Sequence, residues 1–163
     1  EVRDRRLAVL GADEAAVHRA LMLRGWSESV TLLSDGGADL PDDARERLAG
    51  AGVEIDERQV AELRGEGREL AEVGFADGPE RACEGLLVPV TLARRSPLPE
   101  RLGAGRAEPT PLTDDAVAVD AMQNAGVPGL YAAGDLVPKA PSVAAAVASG
   151  AFAAAAIVHG LAG

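Results

Sequence analysis

The sequence holds a single cysteine, Cys83, among 163 residues, and this scarcity excludes several kinds of site. One cysteine cannot form an internal disulfide, a CxxC redox pair or a cysteine-based metal site. Its neighbours in the segment "ERACEG" include no histidine, so we expect a structural thiol rather than a nucleophile. The two histidines, His18 and His159, are expected on helix surfaces, and no metal site is predicted.

Aromatic residues are also scarce, at 2% of the chain, whereas hydrophobic residues as a whole make up 47%. The core must therefore be built from valine, leucine and alanine packed closely together. A chain of this length is long enough for one domain of ordinary size or for two small ones. We expect a globular fold.

Positive charge is limited too, because 16 lysine and arginine residues are outnumbered by 26 acidic residues, for a formal net charge of -10. The basic residues are scattered, which argues against a nucleic acid or an anionic membrane surface as a partner. No signal-like segment opens the sequence, and the longest apolar run is interrupted by Ser149, Gly150 and His159. We therefore expect a cytoplasmic protein without a membrane span.

The first half of the sequence predicts alternating strands and helices. Apolar runs and helical spacing give a strand, a helix, a second strand and a second helix, in the order Leu7–Leu10, 13–24, 29–35 and a segment that begins near Pro41. Two alternating arms around residues 65–67 then indicate a hairpin or meander, and one more strand is expected within residues 84–99. This order predicts an α/β, Rossmann-like domain that ends near residue 90.

The turn after the first strand reads "GADEAA", which departs from the G-x-G-x-x-G pattern of dinucleotide-binding folds. The second glycine of that pattern lets the backbone approach a pyrophosphate at the helix N-terminus. Here Gly11 and Ala12 are followed by Asp13 and Glu14, which would bring two carboxylates towards two phosphates. Asp13 is equally an ordinary helix cap. We expect a degenerate NAD(P) turn at Gly11, Ala12 and Asp13, with nucleotide binding weakened or lost.

Asp35, after the second strand, has two interpretations. It could accept hydrogen bonds from a ribose, as the acidic residue of NAD-binding folds does. It precedes Gly36 and Gly37, however, and a turn aspartate is the commoner reason for such a sequence.

The last third carries the most specific pattern. Strands are expected over residues 116–120 and 130–133, followed by Gly134 and Asp135, a loop, and a long alanine-rich helix that begins near Ser142 and Val143. The segment "VPGLYAAGD", together with Gly150 and the later pair Ala153 and Ala154, resembles the flavin-contacting segment of the thioredoxin-reductase-like pyridine nucleotide-disulfide oxidoreductases. Asn124 stands where that family commonly has threonine, and Ser142 where it commonly has glutamine.

The resemblance implies a FAD site in this segment, formed by Gly134, Asp135, Leu136, Ser142 and Val143. In the family, the glycine leaves room for the ribityl chain of the cofactor and the aspartate accepts hydrogen bonds from its hydroxyls. The N-terminus of the following helix points towards the flavin pyrimidine edge and favours the anionic reduced form.

The resemblance also implies how the chain is organised. Residues 1–90 correspond to a NAD(P)-binding Rossmann-like domain with a degenerate glycine motif, and residues 91–163 to the C-terminal part of a FAD-binding domain. The N-terminal FAD-binding βαβ unit and the redox CxxC of a complete member would precede these residues. We therefore expect the C-terminal portion of such a protein, either a fragment or a truncated gene product.

The function implied for the parent protein is that of a FAD-dependent oxidoreductase. Electrons would pass from NADH or NADPH through flavin to a cysteine pair, or from a dithiol substrate through flavin to oxygen. Asp13 favours a member that uses nicotinamide poorly, and the substrate would be a small-molecule or protein disulfide or dithiol. A homodimer is implied, no catalytic residue lies in this chain, and the chain alone is expected to be inactive. Lys139, in the loop after Asp135, could approach the cofactor or be an exposed loop cation.

The alternative is a non-catalytic, degenerate Rossmann-like module. It would pair with a separate chain that supplies the FAD domain, or with a second copy of itself. Either partner would have to cover the strand edge and the apolar face that the missing half leaves exposed.

Overall fold

A computed structural model describes residues 2–37, 40–138 and 141–162. The chain divides into two compact units, Glu1–Pro89 and Val90–Gly163. Lys139 lies outside the described residues.

The N-terminal unit is built on a four-stranded parallel sheet. Its strands lie in the spatial order Glu54–Asp56, Val30–Leu33, Leu7–Leu10 and Gly85–Leu87, and every neighbouring pair is parallel. The strands and the two helices between them are β1 (Leu7–Leu10), α1 (Glu14–Leu23), β2 (Val30–Leu33), α2 (Asp42–Gly50), β3 (Glu54–Asp56) and β7 (Gly85–Leu87). The α/β, Rossmann-like fold predicted from the sequence is confirmed, and both helices lie where they were expected.

Burial explains why these short segments form strands. All four residues of β2 are buried, as expected for a central strand of a parallel sheet with covered faces. The core between the sheet and its helices is formed by valine, leucine and alanine, as the scarcity of aromatics required: Leu7, Val9, Ala16, Val17, Ala20, Val30, Leu32, Leu40, Ala44, Leu48 and Val53.

The predicted hairpin is present, but part of its first arm belongs to the parallel sheet. Residues Glu54–Asp56 form β3, and the antiparallel pair consists of β4 (Val60–Glu66) and β5 (Glu69–Phe75), with β6 (Arg81–Ala82) beside β5. The turn lies at Gly67, which has φ of +63°.

A buried carboxylate links β3 to this second sheet. Asp56 accepts hydrogen bonds from Arg58 at 2.9 and 2.6 Å and from Arg81 at 3.1 Å. The Arg58 guanidinium in turn lies 3.8 Å from the centre of the Phe75 ring. Hydrogen bonds from Arg58, assisted by Arg81, lower the pKa of Asp56 to about 2.

The C-terminal unit contains less regular structure than the sequence predicted. It comprises a short helix, α3 (Leu98–Arg101), a 3-10 turn (Gly134–Leu136) and a long helix, α4 (Val143–Ala162). The expected strands over residues 116–120 and 130–133 are wrong, because only isolated bridges occur there in the described part of the unit. These extended segments bond to loops instead: Val117 N–H donates to Leu136, and Ala132 N–H to Gln123.

The predicted long alanine-rich helix is confirmed, since α4 is continuous through Ser149, Gly150 and His159, which interrupt only the run of apolar residues. By length and composition alone α4 could cross a membrane, because it has 20 residues and a mean hydropathy of 1.7 in its most apolar window. The expectation of no membrane span stays a prediction at this point.

Candidate functional site

The Gly134–Leu136 turn presents the aspartate that the sequence singled out. Gly134 has φ of +75°, a left-handed conformation that side chains other than glycine rarely adopt. Asp135 and Leu136 line a cavity of about 220 Å³ in the C-terminal unit. The Asp135 carboxylate is exposed and makes no hydrogen bond or ion pair within the described residues. It is therefore free to accept hydrogen bonds from a ligand.

A second carboxylate lines the same cavity but is already committed. Asp115 accepts the backbone N–H of Arg94 at 2.9 Å, and its side chain lies 3.3 Å from the Thr113 hydroxyl. The buried Arg94 guanidinium lies 3.5 Å from Asp115 and 2.8 Å from Glu100. The hydrogen bond from the Arg94 backbone, with the nearby guanidinium charge, lowers the pKa of Asp115. Asp115 thus forms part of the cavity wall through bonds to its own neighbours, whereas the Asp135 carboxylate remains available as a hydrogen-bond acceptor.

The turn is held from the side by helix α4. Ser149 accepts a hydrogen bond from the Gly134 N–H at 2.9 Å and donates one to the Ala146 carbonyl at 3.1 Å. Only 3% of Ser149 is exposed. A Cβ added to Gly134 would lie 3.9 Å from the Ala146 Cβ, so the turn lies close against this face of the helix. The sequence did not reveal Ser149, which was interpreted only as an interruption of the apolar run.

The remaining predicted flavin residues lie at the start of α4. Ser142 accepts the Ala145 N–H at 3.1 Å, as a helix cap does, and Val143 is 83% exposed. Neither of them is among the described residues that line the cavity beside Asp135. Their role towards a flavin therefore stays a prediction, as do those of Gly134, Asp135 and Leu136.

The turn at Gly11, Ala12 and Asp13 has a different geometry. Gly11 has φ of +144°, and a Cβ there would lie 2.9 Å from the Ala16 Cβ, so the strand and helix approach each other closely. The Asp13 carboxylate accepts the Ala16 N–H at 2.8 Å, and Glu14 pairs with Arg47 at 2.8 Å. The cap interpretation of Asp13 is confirmed.

This cap does not suit a bound pyrophosphate. Phosphates bind at helix N-termini through free backbone N–H groups, and here Asp13 takes one of them with a negatively charged oxygen. A phosphate would have to displace the carboxylate or lie beside it. We therefore assign no step to a nucleotide at this turn.

Asp35 lies in a glycine turn of the same unit. It adopts φ of +54°, followed by Gly36 at +92° and Gly37 at +144°. Its carboxylate accepts the Val60 N–H at 2.8 Å, which connects the turn after β2 to the start of β4. The turn interpretation of Asp35 is the one that this geometry supports.

Other candidate chemistry is limited. Cys83 is buried, its thiol lies 3.3 Å from the Gly85 carbonyl, and burial raises its pKa, so it is poorly suited to thiol exchange. His18 and His159 are exposed on α1 and α4. Across residues 2–37, 40–138 and 141–162, no cluster of three or more histidine, cysteine or acidic side chains could hold a metal ion.

The free Asp135 carboxylate and the glycine turn beside it fit the FAD site implied by the sequence. A polyol such as the ribityl chain needs hydrogen-bond acceptors, and an exposed carboxylate without a partner supplies them. Residues with a Cβ rarely adopt the positive φ of Gly134, so this position of the turn favours glycine, which adds no side chain. The chemistry of the residues present therefore suits a FAD site.

Comparison with known proteins identifies the family. The model of the pyridine nucleotide-disulphide oxidoreductase family matches residues 1–150. An oxidoreductase from Agrobacterium tumefaciens is 32% identical, with a TM-score of 0.82 over 97% of this chain and 51% of that one. HlmI is 33% identical, with a TM-score of 0.79 over 98% of this chain and 48% of that one.

The fold is shared more widely. A putative thioredoxin reductase, TrxB from Bacillus anthracis, is 23% identical, with a TM-score of 0.81 over 98% of this chain and 52% of that one. The comparison with curated proteins gave no significant match. The chain spans about half the length of these solved structures. It belongs to the pyridine nucleotide-disulphide oxidoreductase family.

Proposed function

We propose that this chain is the C-terminal portion of a FAD-dependent oxidoreductase that acts on disulfide or dithiol substrates. The family match over residues 1–150 and the likeness to two solved structures above 30% identity support this reaction class. The N-terminal unit would be the nucleotide-domain-like part and the C-terminal unit part of the FAD-binding domain. These boundaries follow the division of the chain after Pro89.

The observation that carries the proposal is the Asp135 carboxylate, which lines a cavity and has no partner among the described residues. We assign to it the acceptance of hydrogen bonds from the hydroxyls of the FAD ribityl chain. The backbone at Gly134 and Leu136 would contact the same cofactor, and Ser142 and Val143 would place the start of α4 near the flavin ring. FAD supplies the two-electron redox chemistry when bound, while the protein binds and orients it.

We propose that nicotinamide nucleotides are used poorly. The support is local: Asp13 caps α1 at 2.8 Å where a pyrophosphate would need free N–H groups. Electrons would then enter from a dithiol substrate more readily than from NADH or NADPH. Because Cys83 is buried and its thiol pKa is raised, the exchanging thiols would come from outside this chain. The chain alone is therefore proposed to be inactive.

We also propose a cytoplasmic location, without a membrane or nucleic-acid partner. The solved structures cover 97% or more of this chain, so most of α4 has a counterpart within a folded domain. That correspondence favours a domain helix over a membrane span, although α4 is long and apolar enough for either. The formal net charge of -10 disfavours anionic partners.

The test is whether the protein retains FAD. The purified chain is incubated with excess FAD, desalted and scanned for the flavin absorbance bands, with far-ultraviolet circular dichroism to establish that it is folded. We expect retained flavin at a stoichiometry near one per chain. A folded chain that elutes without flavin would show that these residues do not hold FAD without the N-terminal FAD-binding unit, and a form that includes this unit is then tested in the same way. A folded, flavin-free protein in both forms would contradict a FAD site at these residues.

The alternative, a non-catalytic module that pairs with another chain or with itself, is supported by the surface of α4. Several of its apolar side chains are more than half exposed: Val143, Val147, Phe152, Val158 and Leu161. Such a surface is typical of a helix that packs against a partner. Light scattering coupled to size exclusion distinguishes the two: self-association without flavin retention favours the module, whereas flavin retention favours the oxidoreductase.

A further inference from the structure

Ser149 is the only hydroxyl residue of helix α4, whose other residues are almost all small or apolar. A serine in the middle of a helix bonds back to the preceding turn and tends to weaken the helix slightly. Ser149 does so, through its bond to the Ala146 carbonyl at 3.1 Å. Because Ser149 is only 3% exposed, the hydroxyl gains nothing from water. Its position needs a reason other than helix stability.

The Gly134 N–H provides that reason. Its bond to the Ser149 hydroxyl, at 2.9 Å, joins two segments that are 15 residues apart in sequence. Asp135 follows Gly134 directly, so the direction of its carboxylate depends on how the Gly134 peptide is held. The Gly134 carbonyl accepts a hydrogen bond from the Val137 N–H at 3.2 Å. Both polar groups of this glycine are thus fixed, and only one of the two bonds reaches outside the turn.

We propose that Ser149 is a positioning residue, which orients the Gly134–Leu136 turn so that the Asp135 carboxylate faces the cofactor. This inference rests on the proposed FAD site and assigns Ser149 a role in it. Ser149 acts through the Gly134 N–H and is not itself assigned a contact with the cofactor. Loss of the hydroxyl removes the bond between the turn and helix α4, while the Leu136 carbonyl still accepts the Val117 N–H. The Gly134 peptide can then change its orientation, and the carboxylate accepts cofactor hydrogen bonds in only part of the population.

The test measures FAD affinity by titration of flavin fluorescence in Ser149→Ala. We expect the Kd for FAD to rise about fivefold to tenfold, which corresponds to a turn that holds the binding-competent orientation in only about 10 to 20% of the population. We also expect amide exchange at Gly134 to accelerate in the flavin-free protein. If Ser149→Ala does not fold, Ser149→Cys takes its place, because a thiol has nearly the same shape and is a much weaker hydrogen-bond partner.

Two controls separate positioning from general destabilisation. Val119→Ala removes apolar volume beside the buried cluster of the same unit while leaving the Ser149 hydrogen bonds and the Gly134–Leu136 turn unchanged. It should lower thermal stability by at least as much as Ser149→Ala and change FAD affinity by less than twofold. Ser34→Ala removes a buried hydroxyl that has no hydrogen-bond partner among the described residues of the N-terminal unit. It should leave FAD affinity unchanged and should not lower thermal stability.

A double-mutant cycle gives the readout that a purely structural role would not affect. If Ser149 acts through Asp135, then Ser149→Ala should have little further effect on FAD affinity in an Asp135→Asn background. Additive effects of the two substitutions would overturn the inference, as would an unchanged FAD affinity in Ser149→Ala. If neither the chain nor a form that includes the N-terminal FAD-binding unit binds FAD, the proposed function fails and this inference with it. If the wild type binds FAD and Ser149→Ala binds it with the same Kd, the inference alone fails.

Discussion

Two turns of this chain place an aspartate shortly after a glycine with positive φ. Among the described residues, only one of the two carboxylates is hydrogen-bonded within the protein. Asp13 bonds to its own helix through the Ala16 N–H at 2.8 Å. Asp135 makes no hydrogen bond or ion pair among the residues described. A glycine–aspartate pair in a sequence therefore does not define a ligand site by itself. What decides is whether the local backbone already satisfies the carboxylate.

The glycines of the two turns differ as well, because Gly11 is confined by packing and Gly134 by conformation. A Cβ on Gly11 would lie 2.9 Å from the Ala16 Cβ, whereas one on Gly134 would lie 3.9 Å from the Ala146 Cβ. The first distance is a clash and the second an ordinary contact. The contrast predicts effects of different size on stability.

The largest expected effect is that of Gly11→Ala. It combines a left-handed conformation with overpacking, and we expect a loss of about 3 kcal/mol in the free energy of unfolding. Gly134→Ala adds only the conformational cost and should lose about 1 kcal/mol. Chemical denaturation of both variants provides the measurement. Equal losses would contradict the distinction between a packed and an open turn.

A third carboxylate, that of Asp56, differs from those of Asp13 and Asp135 because it is expected to make the stability of the fold sensitive to acid. The pKa of Asp56 is lowered to about 2 by its bonds to Arg58 and Arg81, so its ionised form stabilises the folded state. That contribution is complete above the unfolded carboxyl value of 3.8 and is lost as the pH falls from there through about 2. It amounts to roughly 2 kcal/mol.

Urea denaturation between neutral pH and pH about 2 tests this, with the window set by that lowered pKa. Asp56→Asn should be less stable than wild type at neutral pH and show a shallower loss of stability in acid. A variant with the same pH dependence as wild type would show that the Asp56 ion pairs do not control acid unfolding.

The cap at Asp13 has a smaller expected effect. Asp13→Ala removes the side-chain acceptor of the Ala16 N–H, which keeps only its 3.0 Å bond to the carbonyl of residue 13. It should lower the free energy of unfolding by about 1 kcal/mol. Asp13→Asn retains an oxygen acceptor and should stay within a few tenths of a kcal/mol of wild type. Thermal or urea unfolding of the two variants is the measurement. A larger loss in Asp13→Asn than in Asp13→Ala would mean that the negative charge matters more than the cap.

The smallest effect concerns nicotinamide nucleotides. Asp13→Gly removes the carboxylate that competes with a pyrophosphate, and we expect NADH or NADPH to bind severalfold more tightly than to wild type while remaining weak. Fluorescence titration with either nucleotide measures the change. Tight binding to the wild-type protein would contradict the proposal that this turn is unsuited to nucleotides.

The sequence predicted the N-terminal unit better than the C-terminal one, and the reason is the range of the interactions involved. Strand Leu7–Leu10 and the helix after it depend on local apolar spacing and on the Asp13 cap, which are visible in the letters. The segments at 116–120 and 130–133 have suitable apolar residues but find only loop partners in the described unit. A strand requires a neighbour, and composition does not supply one.

In the candidate site, too, the residues in a local motif could be predicted from the sequence, whereas a residue that acts through a longer-range contact could not. Gly134 and Asp135 could be singled out because they form a contiguous motif, and Ser142 because it precedes a helix. Ser149 could not, since its contact with the Gly134 N–H depends on how the helix lies against the turn. In a linear sequence it appears only as a polar residue within an apolar run.

The central claim is that the Asp135 carboxylate is available to FAD while that of Asp13 is occupied by its own helix. Parallel calorimetric titrations of FAD into wild type, Asp135→Asn and Asp13→Asn test it most directly. We predict equal affinities for wild type and Asp13→Asn, and a loss of about tenfold or more for Asp135→Asn, because charge-assisted hydrogen bonds are lost. Binding to Asp135→Asn as tight as to wild type would contradict the claim.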